Sequence, residues 1–119
     1  MYELPKRNII RNKFEFNRVY NKGRSYVNHM MIIHVINSDS SKGKVGFAVG
    51  KKIGNAVVRN HIKRLMREAY RNSQHDIIQN VSMILIARKP LIEAKSYSVQ
   101  KAFMNLCKKA KIIKRSADE

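Results

Sequence analysis

The chain has 119 residues, with 25 Lys and Arg against eight Asp and Glu, and so carries a formal net charge of +17. A field of this sign attracts nucleic acid or an anionic membrane surface, while a hydrophobic content of 44% excludes a disordered basic tail and supports one compact domain. No apolar run is long enough to span a membrane, the first residues lack the apolar region of a signal peptide, and the single Cys107 excludes an internal disulfide, so a reduced, cytoplasmic setting is expected.

Helices and strands follow one another in an order that favours one sheet with helices packed on it. In chain order, the predicted elements are a helix capped by Asn12 and running to about Lys22, strands at 25–28, 30–36 and 44–50, a helix capped by Asn55 and running to Arg71, a strand at 81–87 and a helix at 96–112. The strand at 44–50 follows a loop of turn-forming residues at 37–43 and is expected to be the hairpin partner of the strand before it. The strand–helix–strand unit would normally cross over right-handedly. The prediction is a single domain over 1–119, with 1–8 and 114–119 flexible.

The helix that begins after Gly54 has two different faces. Its apolar face, which must lie on a core, consists of Val58, Ile62, Leu65, Met66 and Ala69. A separate face carries one amide and five cationic side chains, namely Arg59, Asn60, Lys63, Arg64, Arg67 and Arg71. Like charges stacked at i,i+4 repel by a few tenths of a kcal/mol per pair, and Glu68 is the one acid nearby. This pattern favours a polyanionic partner over a solvated basic face that has none.

The first predicted helix carries two aromatic residues one turn apart. Phe16 and Tyr20 can attach the helix to the core, which is the commoner role of an aromatic stripe. Exposed aromatics interleaved with Arg and Lys also stack the bases of single-stranded nucleic acid. From the residues alone the core role is favoured, and the binding role stays open.

Several kinds of catalytic site do not fit the sequence. The segment 46–52 resembles a phosphate-binding loop, but it has one residue too few between its glycines, and Lys52 stands where the motif needs Ser or Thr. The acids and the histidines are scattered over different elements without metal-ligand spacing. Cys107 has no evident His partner and is expected in the core. The sequence therefore predicts no catalytic centre and no metal site on the protein.

A long motif of mixed residue types in the basic helix resembles the signature of the bacterial ribonuclease P protein component. The matching pattern is Lys52-x-Gly54-x-Ala56-Val57-x-Arg59-Asn60-x-x-Lys63-Arg64-x-x-Arg67-Glu68. The chain is similar to the family in two further segments, Phe16-x-x-Val19-Tyr20 followed by Gly23 and Ser25, and Ile86-Ala87-Arg88-Lys89-Pro90. The resemblance covers about residues 7–112, with Tyr20 standing where Phe is common.

This resemblance implies an α+β fold in the order α-β-β-β-α-β-α, with helices packed on a four-stranded sheet. The fold is like the second domain of a small-subunit ribosomal protein, and its crossover around the basic helix is left-handed. The resemblance also implies the non-catalytic protein subunit of an endoribonuclease whose RNA removes the 5′ leader of precursor tRNA. Mg²⁺ would be held mainly by that RNA and by substrate phosphates. The implied partners are the catalytic RNA and precursor tRNA, with no membrane and no obligatory protein partner.

Two binding surfaces follow from the resemblance. The basic helix would contact the catalytic RNA through Arg59, Asn60, Lys63, Arg64, Arg67 and Arg71. A cleft between the first helix and the sheet would hold the single-stranded leader, with Phe16 and Tyr20 lining it and a basic rim of Lys51, Lys52, Arg88 and Lys89. The resemblance thus favours the binding role for the two aromatics, and it assigns no catalytic or metal-binding residue.

Two other functions remain to be weighed. A structural RNA binder such as a ribosomal protein accounts equally well for the charge and the core, but it needs no aromatic cleft opposite the basic helix. A stand-alone nuclease would cleave precursor tRNA without an RNA subunit. The absence of a carboxylate cluster from the sequence argues against that second alternative.

Overall fold

The computed structural model describes residues 9–10, 12–38 and 43–114 of the chain. Its main elements, in chain order, are helix α1 (Lys13–Lys22), strands β1 (Arg24–Val27), β2 (Met31–Asn37) and β3 (Val45–Ala48), helix α2 (Ala56–Ser73), strand β4 (Val81–Ala87) and helix α3 (Ser96–Lys109). The predicted order of helices and strands is confirmed. Apart from Lys114, the segments predicted to be flexible lie outside the described residues, as does most of the loop at 37–43. No helix in the described part of the chain is long and apolar enough to cross a membrane.

The four strands form one mixed sheet in the order β1-β2-β4-β3. Strand β2 pairs antiparallel with β1 and β4, whereas β3 pairs in parallel with β4. The prediction that β3 is the hairpin partner of β2 is therefore wrong, because β4 lies between them. The nearly continuous apolar run of β4 suits this central position, where both faces of the strand are covered.

The connection from β3 through α2 to β4 is left-handed. Met83 of β4 packs in the same core cluster as α2, and its N–H donates to Lys44 O beside β3 at 2.9 Å. When an L-residue in an upward-running strand is viewed from its side-chain side, its N–H points to the right, so β3 lies to the right of β4. The chain consequently moves to the left through a helix in front of the sheet. This result corrects the right-handed expectation and agrees with the resemblance.

Helices α2 and α3 cover one face of the sheet. Side chains alternate along a strand, and the odd-numbered residues of β2 and β4 point to this face, where all except the exposed Asn37 at the end of β2 are buried, including Ile33 and Leu85. They meet Phe103 of α3 and the apolar side of α2. The four α2 residues Ile62, Leu65, Met66 and Ala69 are buried and Val58 is half-buried, which confirms the predicted apolar face.

Helix α1 packs on the opposite face of the sheet. The Asn12 side chain caps it by accepting the Phe14 N–H at 2.7 Å, as the sequence predicted. Val19 is its buried anchor and packs against Ile84 of β4. The helix ends at Gly23, where a Cβ atom would lie only 2.5 Å from Val19 O. Glycine is required at this close approach, which brings the end of α1 onto β2.

Helix α2 begins, and helix α3 ends, at a recognisable local signal. Asn55 caps α2 by accepting the Val58 N–H at 3.0 Å, which confirms the predicted start. Helix α3 ends at Lys109, earlier than the predicted 112, because Lys111 adopts a φ of 59° and reverses the chain. The Ile112 N–H then donates back to Cys107 O at 3.1 Å, a bond typical of a Schellman helix end.

Candidate nucleic-acid interface

The basic face of α2 points away from the core along most of the helix. Its apolar stripe is fixed on the sheet, so the side chains on other sides of the helix must face solvent or the neighbouring elements. Among the predicted residues, Asn60, Arg64 and Arg67 are exposed, and Arg59, Lys63 and Arg71 are half-buried. The structure therefore places all six on one helix, with no element of the described chain covering the three exposed ones.

An open groove of about 810 Å³ lies between α2 and the start of α3. Arg64, Arg67 and Arg71 line it from α2, and Glu68 is the acidic residue among its lining side chains. Lys95 and Ser96 form the facing wall. Sequence reasoning missed Lys95, although one signal was present. It occupies the N-cap position of α3, where Ser, Thr, Asp or Asn is usual, and it makes no capping hydrogen bond there.

A second surface lies around α1 on the other face of the sheet. Phe16 is half-buried and packs against the cluster around Val19 and Ile84, whereas Tyr20 is 49% exposed. Their ring centroids are 6.5 Å apart, and the ring planes are only 12° from parallel. The core role is thus carried mainly by Val19, and Phe16 contributes to it. Tyr20 presents much of its ring to solvent.

His34 of β2 extends this aromatic surface onto the sheet. Its ring centroid lies 4.7 Å from that of Tyr20, and the planes are tilted by 30°. Burial lowers the pKa of His34 below its ordinary value of 6.5, because desolvation disfavours the imidazolium. Sequence reasoning did not include His34 among the binding residues. Only the folded sheet shows that the even-numbered residues of β2 face α1, so no signal in the sequence identified His34.

The register of the sheet connects these aromatics to the predicted basic rim. One row of side chains on the α1 face consists of His34 and Ile84, and the next consists of Ile32 and Ile86, which are both half-buried. A further row leads to Arg88, whose N–H donates to Met30 O at 2.9 Å. At about 3.4 Å per residue, Arg88 lies roughly 14 Å from the row of His34 along the direction of β4.

The four predicted rim residues lie at one end of the sheet, where strands β3 and β4 finish. Because β3 and β4 are parallel, the segments that follow them leave the sheet at the same end. Lys51 and Lys52 are exposed in a 3₁₀ turn after β3, and Arg88 and Lys89 are exposed directly after β4. The rows of side chains begin at the aromatics around His34 and run toward the ends of β3 and β4. The structure therefore brings cations from two separate segments to the far end of these rows.

Asn28 holds Arg88 at this end of the sheet. The Arg88 Nη1 donates to Asn28 O at 2.8 Å, and the Asn28 amide donates to Ala102 O of α3 at 2.9 Å. The Asn28 Oδ1 also accepts the N–H groups of Met30 and Met31 at 3.0 and 3.1 Å. The guanidinium is thus oriented by backbone that is itself fixed between β2 and α3. No signal in the sequence singled out Asn28 for this role.

The described residues bear on two kinds of catalytic chemistry, metal-dependent and thiol-dependent. Among them, no group of three or more His, Cys, Asp or Glu side chains is placed to hold a metal ion. Cys107 is buried, and desolvation raises the pKa of its thiol to about 12, which keeps it from acting as a thiolate nucleophile. The predicted core position of Cys107 is confirmed. What the geometry provides is two separate surfaces, one basic and one aromatic with a basic rim.

The family of the chain is decided by comparison with known proteins. A family model described as Ribonuclease P matches residues 4–111. The chain is 36% identical to the ribonuclease P protein component of Natranaerobius thermophilus over 90% of this chain and 93% of the relative. It is 38% identical to that of Halalkalibacterium halodurans over 92% and 93% of the two chains. The chain belongs to the ribonuclease P protein family.

The fold of this ribonuclease P protein is also that of solved structures in the family. It is similar to the RNase P protein of Staphylococcus aureus with a TM-score of 0.81 and 31% identity, covering 90% of this chain and 98% of that one. Similarity to the RNase P protein of Thermotoga maritima gives a TM-score of 0.77 at 25% identity, over 85% and 96% of the chains. The chain is a protein component of ribonuclease P, a ribonucleoprotein endoribonuclease of tRNA processing, and this implies association with the ribonuclease P RNA.

Proposed function

We propose that this protein binds two RNAs at once, the catalytic RNA on α2 and the 5′ leader of precursor tRNA in the cleft beside α1. The observation that carries the proposal is the separation of the two surfaces. The basic face of α2 lies on one side of the sheet, and the rings of Phe16, Tyr20 and His34 lie on the other. A protein that bound a single RNA through one patch would not need both surfaces.

The α2 surface suits a folded RNA. Arg side chains dominate it, and guanidinium groups bind phosphate in a planar, bidentate way that Lys cannot reproduce. Each phosphate that the face neutralises releases counterions, so binding falls steeply as salt rises. The exposed cations Arg64 and Arg67 are the principal phosphate contacts, and Asn60 adds a neutral hydrogen-bonding group between them and the start of the helix. Lys95 extends the same surface across the groove.

The α1 cleft suits a single strand of varied sequence. An aromatic face accepts any base, at about 1–3 kcal/mol for each stacked base. The exposed ring of Tyr20 provides such a platform, Ile32 and Ile86 provide an apolar floor, and the four rim cations receive the phosphates. The leader would run from the aromatics toward Arg88 and Lys89, along the rows of the sheet.

The contribution to cleavage is placement and electrostatics rather than protein chemistry. The RNA subunit carries the catalytic step, with Mg²⁺ held mainly by that RNA and by substrate phosphates, and the protein supplies no ligand cluster for the ion among its described residues. By neutralising phosphates near the cleavage site, the protein lowers the repulsion that opposes Mg²⁺ binding to the RNA. We place this activity in the cytoplasm, where tRNA precursors are made in bacteria.

A comparison of two substrates tests the leader cleft. Tyr20→Ala in the reconstituted holoenzyme should weaken binding of precursor tRNA by about 1–3 kcal/mol and leave mature tRNA unchanged, because only the precursor has a leader to stack. Tyr97→Ala is the matched control, since Tyr97 is 70% exposed on α3, and α3 covers the face of the sheet opposite the cleft. Equal effects on both substrates, or no effect on either, would contradict the assignment of the leader to α1.

A further inference from the structure

We propose that binding of the leader is coupled to uptake of one proton by His34, so that the protein discriminates precursor from mature tRNA more strongly as pH falls. This inference rests on the proposed leader cleft and adds a titrating group to it. It also predicts that the leader contact depends on pH, whereas the Lys and Arg contacts of the α2 surface do not.

His34 is placed in the cleft by the sheet and held there by α1. The strand register sets it between Ser25 of β1 and Ile84 of β4. The ring of Tyr20 covers one side of it at a centroid distance of 4.7 Å. A leader base stacked on Tyr20, or a phosphate beside that base, would therefore lie next to the imidazole.

The free cleft is poorly suited to an imidazolium. Among the described residues, His34 Nδ1 is the one buried side-chain nitrogen or oxygen without a hydrogen-bond partner. A neutral imidazole can leave Nδ1 unprotonated at moderate cost, whereas the imidazolium must carry an N–H there that has no acceptor. This missing acceptor acts in the same direction as the desolvation that lowers the pKa of His34.

Among the described residues of the elements packed around His34, Glu15 is the one acid, and it is already in an ion pair. Helix α1 carries Tyr20 in contact with the imidazole, and its other ionisable residues are Lys13, Glu15, Arg18 and Lys22. Glu15 is in an ion pair with Lys44 at 3.2 Å, on the side of β3. Strand β1 contributes Ser25 opposite His34 and Arg24 beside it in the chain, and β4 contributes Ile84. His34 is the one imidazole among these residues.

Bound leader changes this balance because it brings phosphates. A phosphate within reach of the imidazole favours its charged form by direct attraction. The protonated fraction of His34 therefore rises when the leader binds. By linkage, the affinity for the leader must then rise as pH falls through the range in which the free and bound proteins differ in protonation. Lys and Arg contacts give no such dependence between pH 5.5 and 7.5.

The test compares binding of precursor tRNA and mature tRNA to the holoenzyme between pH 7.5 and 5.5. The ratio of the two affinities removes pH effects on the RNA subunit and on the α2 surface, because both substrates share them. For the wild-type protein this ratio should rise by on the order of three- to tenfold on going to pH 5.5, since one proton is taken up. In His34→Phe and in His34→Gln, the ratio should be independent of pH. His29→Gln, which replaces an exposed histidine of the adjacent turn, should retain the wild-type dependence.

A second measurement follows the proton itself. The His34 ring proton resonances of the full-length protein should titrate at higher pH in the presence of a five-nucleotide oligouridylate without terminal phosphates, which has no group of its own that titrates in this range. A wild-type affinity ratio that is flat with pH, or one that changes equally in His34→Phe, overturns the inference. If precursor and mature tRNA bind equally at every pH, the leader cleft itself is wrong. The two failures are therefore distinguishable.

Discussion

The guanidinium carbon of Arg67 lies 5.8 Å from the centroid of the Phe47 ring, so that a cation of the basic helix rests on an aromatic residue of strand β3. Phe47 meets Tyr70 edge-on at 6.3 Å, and Tyr70 in turn meets Phe103 of α3 at 6.1 Å. The position of Arg67 is thus linked to the core through a chain of rings. A long exposed side chain is restrained by this contact before any RNA arrives, which reduces the entropy lost on binding.

Removing the aromatic support should weaken RNA binding without changing any charge. We expect Phe47→Leu to weaken binding of the ribonuclease P RNA by about 0.5–1 kcal/mol, the value of an exposed cation–π contact. The salt dependence of binding should be unchanged. Fluorescence titration of labelled protein at several salt concentrations measures both quantities. Urea unfolding of the same variant establishes whether the fold has been retained. An unaltered Kd in a folded variant would show that Phe47 does not position Arg67.

Removing charges from α2 should instead change the salt dependence. We expect Arg64→Ala combined with Arg67→Ala to weaken assembly with the RNA and to reduce the slope of log K against log salt by about two, one for each phosphate that is no longer neutralised. The matched control is Lys108→Ala combined with Lys109→Ala, which removes the same charge from exposed positions on α3. If both pairs reduce affinity and slope equally, only the net charge matters, and α2 is not the specific surface.

The end of α3 offers a stabilising substitution. Lys111 has a φ of 59°, a left-handed conformation that strains any residue with a Cβ atom. We expect Lys111→Gly to raise the free energy of unfolding by about 0.5–1 kcal/mol, measured by urea denaturation. The same change at Lys101, which is exposed within α3, should lower it by about 1 kcal/mol because glycine is unfavourable inside a helix. Destabilisation by both substitutions would contradict the strained conformation of Lys111.

His34 should make the stability of the free protein depend on pH. Burial lowers the pKa of His34 in the folded state below 6.5, the value expected for the unfolded chain. The unfolded state then binds more protons below pH 6.5, so this contribution to stability is complete above 6.5 and is lost as pH falls through the folded pKa. In His34→Phe the decline in unfolding free energy below pH 6.5 should be smaller than in the wild type. His61→Gln, which replaces an exposed histidine on α2, should decline like the wild type.

The helices were predictable because their signals are local. Asn12 and Asn55 were identified as caps from their residue type and from the periodic apolar residues after them, and both accept the expected N–H. The buried side of α2 followed from spacing alone. The end of α3 was placed too late, because a Lys in the left-handed conformation at 111 gives none of the warning that a glycine would.

The strand pairing was not predictable by the same means. Two β-branched segments joined by a short loop favour a hairpin, and nothing in residues 30–50 shows that β4 enters between them. That position is decided by burial on both faces, a property of the whole sheet. The left-handed crossover followed from the family resemblance and not from local physics, which favours the opposite hand.

The two candidate surfaces also differed in how far the sequence could predict them. The basic side chains of α2 share one helix and could be grouped from the sequence. The cleft draws its residues from α1, β2 and the segments after β3 and β4, so only the fold brings them together. His34 was missed as a cleft residue because a single histidine in a strand carries no binding signal until its neighbours are known. Lys95 was missed because it meets Arg64 and Arg67 only across the groove between two helices.

Cleavage of precursor tRNA at low Mg²⁺ tests the central claim most directly. Three samples are compared, namely the protein alone, a bacterial ribonuclease P RNA alone, and the two together. The account predicts removal of the 5′ leader only in the mixture, because the RNA carries the chemistry and the protein positions the substrate and lowers the need for Mg²⁺. Cleavage by the protein alone would reveal a catalytic site on the chain, and no cleavage in the mixture would contradict its role as the protein subunit.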